Sequence, residues 1–322
     1  MGGRLPLVLM LLTAPPILVE GKGGEDQEFN RHWAGMAQHY GTMKAKGVRA
    51  GRIGPGMRLL VSIANYGSLS EKTLTVFKLL HNLVDICNHG VNVTIHMDTT
   101  DAEWEIVNRL DTGEMYCERS GEKLHLDVKT HSADVGHMLT SKHRQYWHDH
   151  FSEHDWFLYT EHDLDFTASN FIHLMQEFKR VEGTNYIPGL LRVEHLRPGD
   201  WSEKFPLEFG LGAWTDDEQG RKRLCQPDNP ALVGTVNIRG RDYIAPKNGY
   251  QAFYLISRDM LEPIIDKKEW YAPVQPRTLV REIFATYWLT GPCDYRWCEQ
   301  PFSKVVPFED IDSFTIHHMS NK

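Results

Sequence analysis

Apolar positions along the chain fall into runs of two periods, and the alternation of those runs organises everything between Met57 and the C-terminus. Met57-Arg58-Leu59-Leu60-Val61-Ser62-Ile63-Ala64 is a short apolar run that ends in Asn65-Tyr66-Gly67-Ser68. Leu69 to Asn88 follows with helical spacing at Leu74, Phe77, Leu80 and Val84, so the segment predicts a strand, a loop and a helix. Val91 to Asp98 alternates as a second strand, and Leu124 to Val128 offers a third. Leu139 to Phe151 has helical spacing, and Trp156-Phe157-Leu158-Tyr159 is a compact apolar run suited to a strand buried on both faces. Asn170 to Val181 predicts a helix with Phe171, Leu174, Met175 and Phe178 on one side, and Tyr186 to Val193 returns to strand character. Gln251 to Ile256 is a further sheet-forming segment leading through Ser257-Arg258-Asp259 into a helix. Strands alternating with helices predict an α/β domain with a largely parallel sheet. Pro198 to Pro230, dense in Gly and Pro, reads as a long loop and a candidate acceptor-binding insertion.

Composition narrows the class. With 322 residues, 41% hydrophobic and 24% charged, the chain can bury a sizeable core, and neither disorder nor a polytopic membrane protein is suggested. Lys+Arg 35 against Asp+Glu 43 gives a net charge of −8, which disfavours a broad nucleic-acid-binding surface but leaves room for a local cationic pocket. Arg4 precedes an apolar stretch from Leu5 to Val19 that reads as a secretory signal within residues 1–20. That stretch is shorter than the about 20 residues a spanning helix needs and contains Pro15-Pro16, so cleavage is favoured, and membrane attachment follows only if the segment stays as an anchor. Residues 21–56, with a possible amphipathic stretch at Phe29, Trp33, Met36 and Tyr40, read as a stem or N-terminal lid, and 57–322 as the catalytic domain.

The five cysteines include no Cys-x-x-Cys pair, and sequence alone fixes no connectivity, although Cys293 and Cys298 are close enough to close a short loop. Asn92-Val93-Thr94 fits the N-glycosylation sequon, but it lies in an alternating run where half the side chains point inward, which argues against its use.

The densest chemistry lies at Glu161-His162-Asp163-Leu164-Asp165, directly after the buried run at Trp156–Tyr159. Carboxylates at alternate positions offer hard oxygen ligands for Mg2+ or Mn2+, and ligands of open α/β sheets bind outside the carboxyl ends of the strands. Solvated turn acids are the bland alternative. Tyr159 to Phe166, followed by Asn170-Phe171, resembles the acidic motif of the GT-A glycosyltransferases, and in particular the pattern of N-acetylglucosaminyltransferases of the first type. The resemblance covers in outline Leu59 to the C-terminus and is one of order and pattern rather than identity. It implies a GT-A, Rossmann-like fold with a smaller acceptor-side sheet and a nucleotide-diphosphate sugar as donor. It also implies a hydroxyl-bearing acceptor and an address in the Golgi or endoplasmic reticulum lumen. By the same resemblance Asp163 contacts the metal, with Asp165 beside it, and Glu161 faces the donor sugar. His162 departs from the Asp more usual at the middle position.

Around the motif, Ala64, Asn65 and Tyr66 after the first strand and Asp98 after the second fall where this fold grips base and ribose. Lys142 and Arg144 are candidate cations for the diphosphate. An inverting transfer needs a carboxylate base. Glu282, in Val280-Arg281-Glu282-Ile283-Phe284-Ala285, resembles the acid before the last helix of beta-1,3-galactosyltransferase-like enzymes, and Asp242, in Arg241-Asp242-Tyr243-Ile244, is the second candidate. His317 and His318 follow a short apolar run, and some GT-A enzymes return a C-terminal His to the metal; strand alternation would leave one of the two facing it.

Three rivals stand beside this reading. His150-Phe151-Ser152-Glu153-His154 matches the H-x-x-E-H zinc-protease pattern, which requires a helix continuing through His154. A non-catalytic GT-A-like carbohydrate- or nucleotide-binding protein would keep the fold without turnover. A dinucleotide oxidoreductase lacks its G-x-G-x-x-G after the first strand.

Overall fold

A computed structural model describes residues 48–105, 115–119, 121, 124, 126–195, 204–206, 215–216, 222–223, 234–245, 252–266, 270 and 303–319. The expected signal, the amphipathic stretch at Phe29–Tyr40, most of the Pro198–Pro230 loop, Glu282, and Cys225, Cys293 and Cys298 lie outside the described residues. The strands are β1 (Arg58–Asn65), β2 (Asn92–Thr99), β3 (Leu126–Thr130), β4 (Trp156–Glu161), β5 (Leu164–Asp165), β6 (Tyr186–Pro188), β7 (Leu191–His195), β8 (Lys204–Pro206), β9 (Thr215–Asp216), β10 (Lys222–Arg223), β11 (Gly234–Ile238), β12 (Arg241–Ala245), β13 (Phe253–Ser257), β14 (Ser303–Pro307) and β15 (Thr315–His318). The α-helices are α1 (Leu69–Asn88), α2 (His143–Asp149), α3 (Ala168–Val181) and α4 (Arg258–Ile265).

The core is a mixed α/β unit around a five-stranded sheet in the order β13-β4-β1-β2-β3. Strands β4, β1, β2 and β3 run parallel, and β13 closes one edge antiparallel to β4. The sheet-forming segment expected at Gln251–Ile256 thus supplies, over Phe253–Ser257, an edge of the central sheet. Two four-stranded sheets, β11-β12-β14-β6 and β5-β15-β7-β8, are built from the later strands.

Helices cover both faces of the central sheet. On one face Trp147 of α2 packs on Phe157 and donates from Nε1 to Ser62 Oγ at 2.8 Å. On the other, Phe178 of α3 packs edge-on against Trp156 of β4. Helix α3 starts two residues ahead of the expected Asn170, because Thr167 caps it: Thr167 Oγ1 accepts from the Asn170 backbone N–H, and Asn170 Oδ1 accepts from the Thr167 N–H. Phe171, Leu174, Met175 and Phe178 are buried as the spacing requires.

Helix α1 buries part of the expected face: Leu80 and Val84 are in the core, whereas Leu74 is 86% exposed and Phe77 40% exposed, and Val76, Leu79, Leu83 and Cys87 complete the buried stripe. The stripe at 76, 79, 80, 83 and 87 fits the helical repeat as well as the expected one, and packing on β2, β5 and α3 selects it. Cys87, at the end of this stripe, is bonded to Cys117 across 30 residues.

Ahead of the expected boundary at Met57, Val48 and Ala50 are buried, and Trp156 Nε1 donates to the Arg52 carbonyl. The packed unit thus already includes Val48–Arg52. No helix among the described residues is long and apolar enough to cross a membrane.

Candidate active site

The parallel register brings the candidate residues to one level. Ala64 of β1 pairs with Asp98 of β2 on one side and Glu161 of β4 on the other. These three positions share a sheet face, because the pleat repeats every second residue and neighbouring strands stay in step. At the spacing of adjacent strands, Asp98 and Glu161 stand about 10 Å apart across Ala64. Asn65 ends β1 fully buried, with Nδ2 donating to Thr99 Oγ1 at 3.3 Å and Oδ1 without a partner. Tyr66, next in the chain, is 50% exposed at the start of the loop.

Asp163 follows β4 in a tight turn whose backbone is tied down on both sides. The His162 N–H donates to the Ala64 carbonyl, and the Met319 N–H donates to the Asp163 carbonyl. Strand β5 pairs antiparallel with β15, so that His317 faces Asp165 and His318 faces Leu164 in the register. His318 Nε2 donates to Asp163 Oδ2 at 2.9 Å across a sequence separation of 155 residues. The other carboxylate oxygen, Asp163 Oδ1, is buried with no partner. Burial by itself would raise the Asp163 carboxyl, but the hydrogen bond and charge of His318, with His162 and Arg192 beyond it, reverse that and hold it at about 2.

The three acids of the motif do not converge on one point. Asp165 is held by α1, accepting from Lys78 Nζ at 2.7 Å and from Asn82 Nδ2 at 3.3 Å, so both its oxygens are engaged away from Asp163. Glu161 is half-buried at the end of β4, and its backbone N–H donates to the Ala252 carbonyl. Among the described residues no three His, Cys, Asp or Glu side chains are grouped to hold a metal by themselves. The Asp163–His318 pair fits a different donor set. Mg2+ and Mn2+ in phosphate-handling sites commonly take one or two protein ligands and complete their shell with phosphate and water. Asp163 offers an orphaned carboxylate oxygen for that role, and His318 offers the Nε2 that now bonds Asp163.

A second carboxylate–imidazole group stands at Asp98. His131 Nε2 donates to Asp98 Oδ1 at 2.7 Å, and His96 Nε2 stands 3.4 Å from the same oxygen. His96 Nδ1 reaches Asp127 Oδ2 at 3.0 Å, and its ring stacks on Tyr146 with centroids 3.7 Å apart. Burial pushes the Asp98 carboxyl up, while the hydrogen bond from His131 and the close approach of His96 pull it down to about 2. Sequence reasoning found Asp98 but missed His131 and His96. His131 follows β3 directly, so the rule that places Asp98 at a strand's carboxyl end would have placed it too.

The two expected cations part company. Lys142 is exposed, just before α2. Arg144 is 3% exposed, its Nη1 donating to the Trp270 carbonyl at 3.0 Å and its guanidinium lying over the Trp270 ring. It is a buried strut between α2 and Trp270 rather than a surface cation, because α2 turns that side inward.

Asp242 lies on β12 and is exposed, accepting from Asn237 Nδ2 at 2.7 Å. Its neighbours Arg241 and Tyr243 bond Glu177, near the C-terminal end of α3. Glu177 is about 13 Å along α3 from the end that follows Asp163, so the structure does not bring Asp242 beside Asp163. The H-x-x-E-H segment is not one helix: α2 ends at Asp149, and His154 has extended backbone at φ −123 and ψ 151. His154 Nδ1 donates to the His150 carbonyl and Nε2 accepts from Thr94, so both ring nitrogens are engaged by protein. No protein-family model matches the chain, and neither does any curated protein.

Proposed function

We propose that the chain is a metal-dependent glycosyltransferase of the GT-A kind, moving a sugar from a nucleotide-diphosphate sugar to a hydroxyl group of a glycan, glycoprotein or other acceptor. The observation that carries this reading is the Asp163–His318 pair, with its orphaned carboxylate oxygen, at the carboxyl end of a central parallel strand. Mn2+ or Mg2+, when bound, supplies a counter-charge to the diphosphate leaving group. Asp163 and His318 would hold it, and the depressed Asp163 carboxyl stays anionic at any physiological pH.

Around that pair, this chain's own residues are suited to hold the donor. Glu161 stands level with Ala64, where a hydroxyl of the donor sugar would be gripped, while Asp98 on the other side of Ala64 is buried against His131 and His96 and is better suited to fixing that edge of the sheet. Tyr66 offers an exposed aromatic face for the base, and Lys142 an exposed ammonium near α2. Glu282, outside the described residues, is the acceptor base this reading expects. The buried Arg144 is better suited to fixing α2 than to meeting phosphate.

The address that goes with this function is the lumen of the secretory pathway. The apolar Leu5–Val19 stretch supports it, and so does the Cys87–Cys117 disulfide, a bond that persists in oxidising compartments.

The test is a screen of purified protein against nucleotide sugars with and without Mn2+, reading nucleotide release and transfer to simple acceptors. Metal-dependent release with one donor supports the proposal. Tight nucleotide binding without release would identify a binding protein, and indifference to every nucleotide sugar would overturn the reading.

A further inference from the structure

We propose that Asn92 carries an N-linked glycan. The inference rests on the lumenal part of the proposed function and concerns the end of the sheet opposite the Asp163–His318 pair. Asn92-Val93-Thr94 is the chain's single Asn-x-Ser/Thr sequence. Strand alternation alone left the direction of its side chain open. The structure assigns it outward: Asn92 is exposed while Val93 is buried on the other side of the pleat. The neighbouring strand also leaves room, because β3 pairs with β2 only from Ile95 onward, three residues beyond Asn92. On the other flank Asn92 pairs with Arg58, whose side chain is 41% exposed.

Position makes the modification compatible with the candidate site. Asn92 opens β2 and Asp98 lies near its end, so six residues of extended chain separate them by about 20 Å. A bulky, hydrated sugar at Asn92 would sit at the amino edge of the sheet and leave the carboxyl edge open. The Cys87–Cys117 bond, five residues before Asn92, calls for the same oxidising lumen in which asparagine is glycosylated.

The chemistry is a transfer from a lipid diphosphate-linked oligosaccharide, made by a membrane transferase of the host. The Asn92 side-chain nitrogen bonds to the anomeric carbon, the bond from that carbon to the phosphate oxygen breaks, and the lipid diphosphate leaves. The amide proton passes to the transferase's base. The Thr94 hydroxyl, which the sequon needs, is bonded to His154 Nε2 at 3.1 Å in the folded chain. Transfer therefore precedes the docking of β2 against His154, while Asn92-Val93-Thr94 is still extended and free.

The experiment translates the full chain in the presence of microsomes and reads protease protection, the Cys87–Cys117 bond and mass in the same sample. The expected result is a protected, disulfide-bonded chain with one glycan. An amidase specific for N-glycans should remove it and leave a carboxylate at position 92, visible in the peptide mass. Asn92→Gln and Thr94→Val should both abolish the glycan, and Thr94→Ser should keep it. A protected, disulfide-bonded chain without sugar at Asn92 overturns the inference and leaves the lumenal address standing. A chain that stays outside the vesicles overturns both.

Discussion

Two carboxylate–imidazole pairs sit at the carboxyl edge of one sheet, both with the carboxyl held at about 2, and they are built for different work. Asp98 is 2% exposed, and one of its oxygens has two imidazole nitrogens within 3.4 Å. Asp163 is 18% exposed, has one imidazole on one oxygen, and keeps the other oxygen without a partner. A buried carboxylate surrounded by donors is satisfied by the fold and contributes to its stability. One left half-satisfied is a cost the fold carries and a ligand can relieve. Similar depressed acidity therefore accompanies two arrangements: at Asp163 the unpartnered atom is a carboxylate oxygen, which a cation can take, whereas at Asp98 it is the nitrogen His96 Nε2, already 3.4 Å from the carboxylate.

The sharpest way to break that contrast is Asp163→Asn. It keeps size and removes charge, so nucleotide-sugar transfer should fall by about 10²–10³-fold while the protein still folds, with a stability loss no larger than that of Asp98→Asn, since both carboxyls are held at about 2. Assays of transfer and thermal melts on the same preparation check it. Wild-type transfer with unchanged Mn2+ dependence would reduce the acidic motif to an ordinary turn. His318→Ala should raise the Mn2+ concentration needed for half-maximal activity, and His317→Ala should not.

On the Asp98 side the expected losses are of stability. Cys117→Ser opens the 30-residue link to Cys87 and should cost about 3–4 kcal/mol in urea unfolding by the chain-entropy relation. Asp98→Asn removes the anion that His131 and His96 surround and should cost about 2–3 kcal/mol. If Asp98→Asn left stability unchanged while abolishing nucleotide binding, the assignment of the two pairs would have to be exchanged.

Acid should reveal two windows. His143, His154 and His162 are each pushed below the ordinary imidazole value, chiefly by burial. For a depressed group the unfolded chain takes up the proton first, so stability is full above about 6.5 and declines as pH falls below it. Asp98 and Asp163 add a second decline, starting below their ordinary value of 3.8 and running down to about 2. Urea midpoints measured between pH 8 and pH 3 should fall in that order, and a midpoint that rises on acidification to pH 5 would contradict the burial of the three imidazoles.

Much of this was legible in the chain itself. The parallel α/β core, the buried β4 and the emergence of an acidic motif at its end follow from period and position, because short apolar runs alternating with helical spacing have few ways to pack. What was not legible depends on tertiary choice. The pattern at Leu74 and Phe77 was as helical as the buried stripe at Val76, Leu79 and Leu83, and only the sheet beneath α1 decides between them. Arg144 and Lys142 are two residues apart, but the turn into α2 buries one and exposes the other. The resemblance already put one of His317 and His318 beside the motif, but the choice of His318 for Asp163, across 155 residues, is set by the β5–β15 pairing, which no local pattern announces. Asp165 shows the same limit from the other side, since its ties to Lys78 and Asn82 reach 87 and 83 residues back.

Asp165 also supplies the finest test of the contrast, because it differs from Asp163 by two positions in the chain and by everything in its surroundings. Its oxygens are taken by Lys78 and Asn82, and the Lys78 side chain is 52% exposed, so solvent and salt screen the pair. Breaking such a pair should cost less than about 1 kcal/mol. Asp165→Asn keeps an acceptor for Lys78 and a shape that still fits beside Asn82, so the β5–β15 pairing and the position of His318 should survive. Transfer should then fall by no more than about tenfold, well short of the loss that electrostatic stabilisation at Asp163 would produce. Lys78→Met should behave alike, because it removes the other half of the same pair. Parallel assays of Asp163→Asn, Asp165→Asn and Lys78→Met decide the matter. An Asp165→Asn protein as inactive as Asp163→Asn, with Lys78→Met fully active, would mean that Asp165 leaves α1 to join Asp163 at the site.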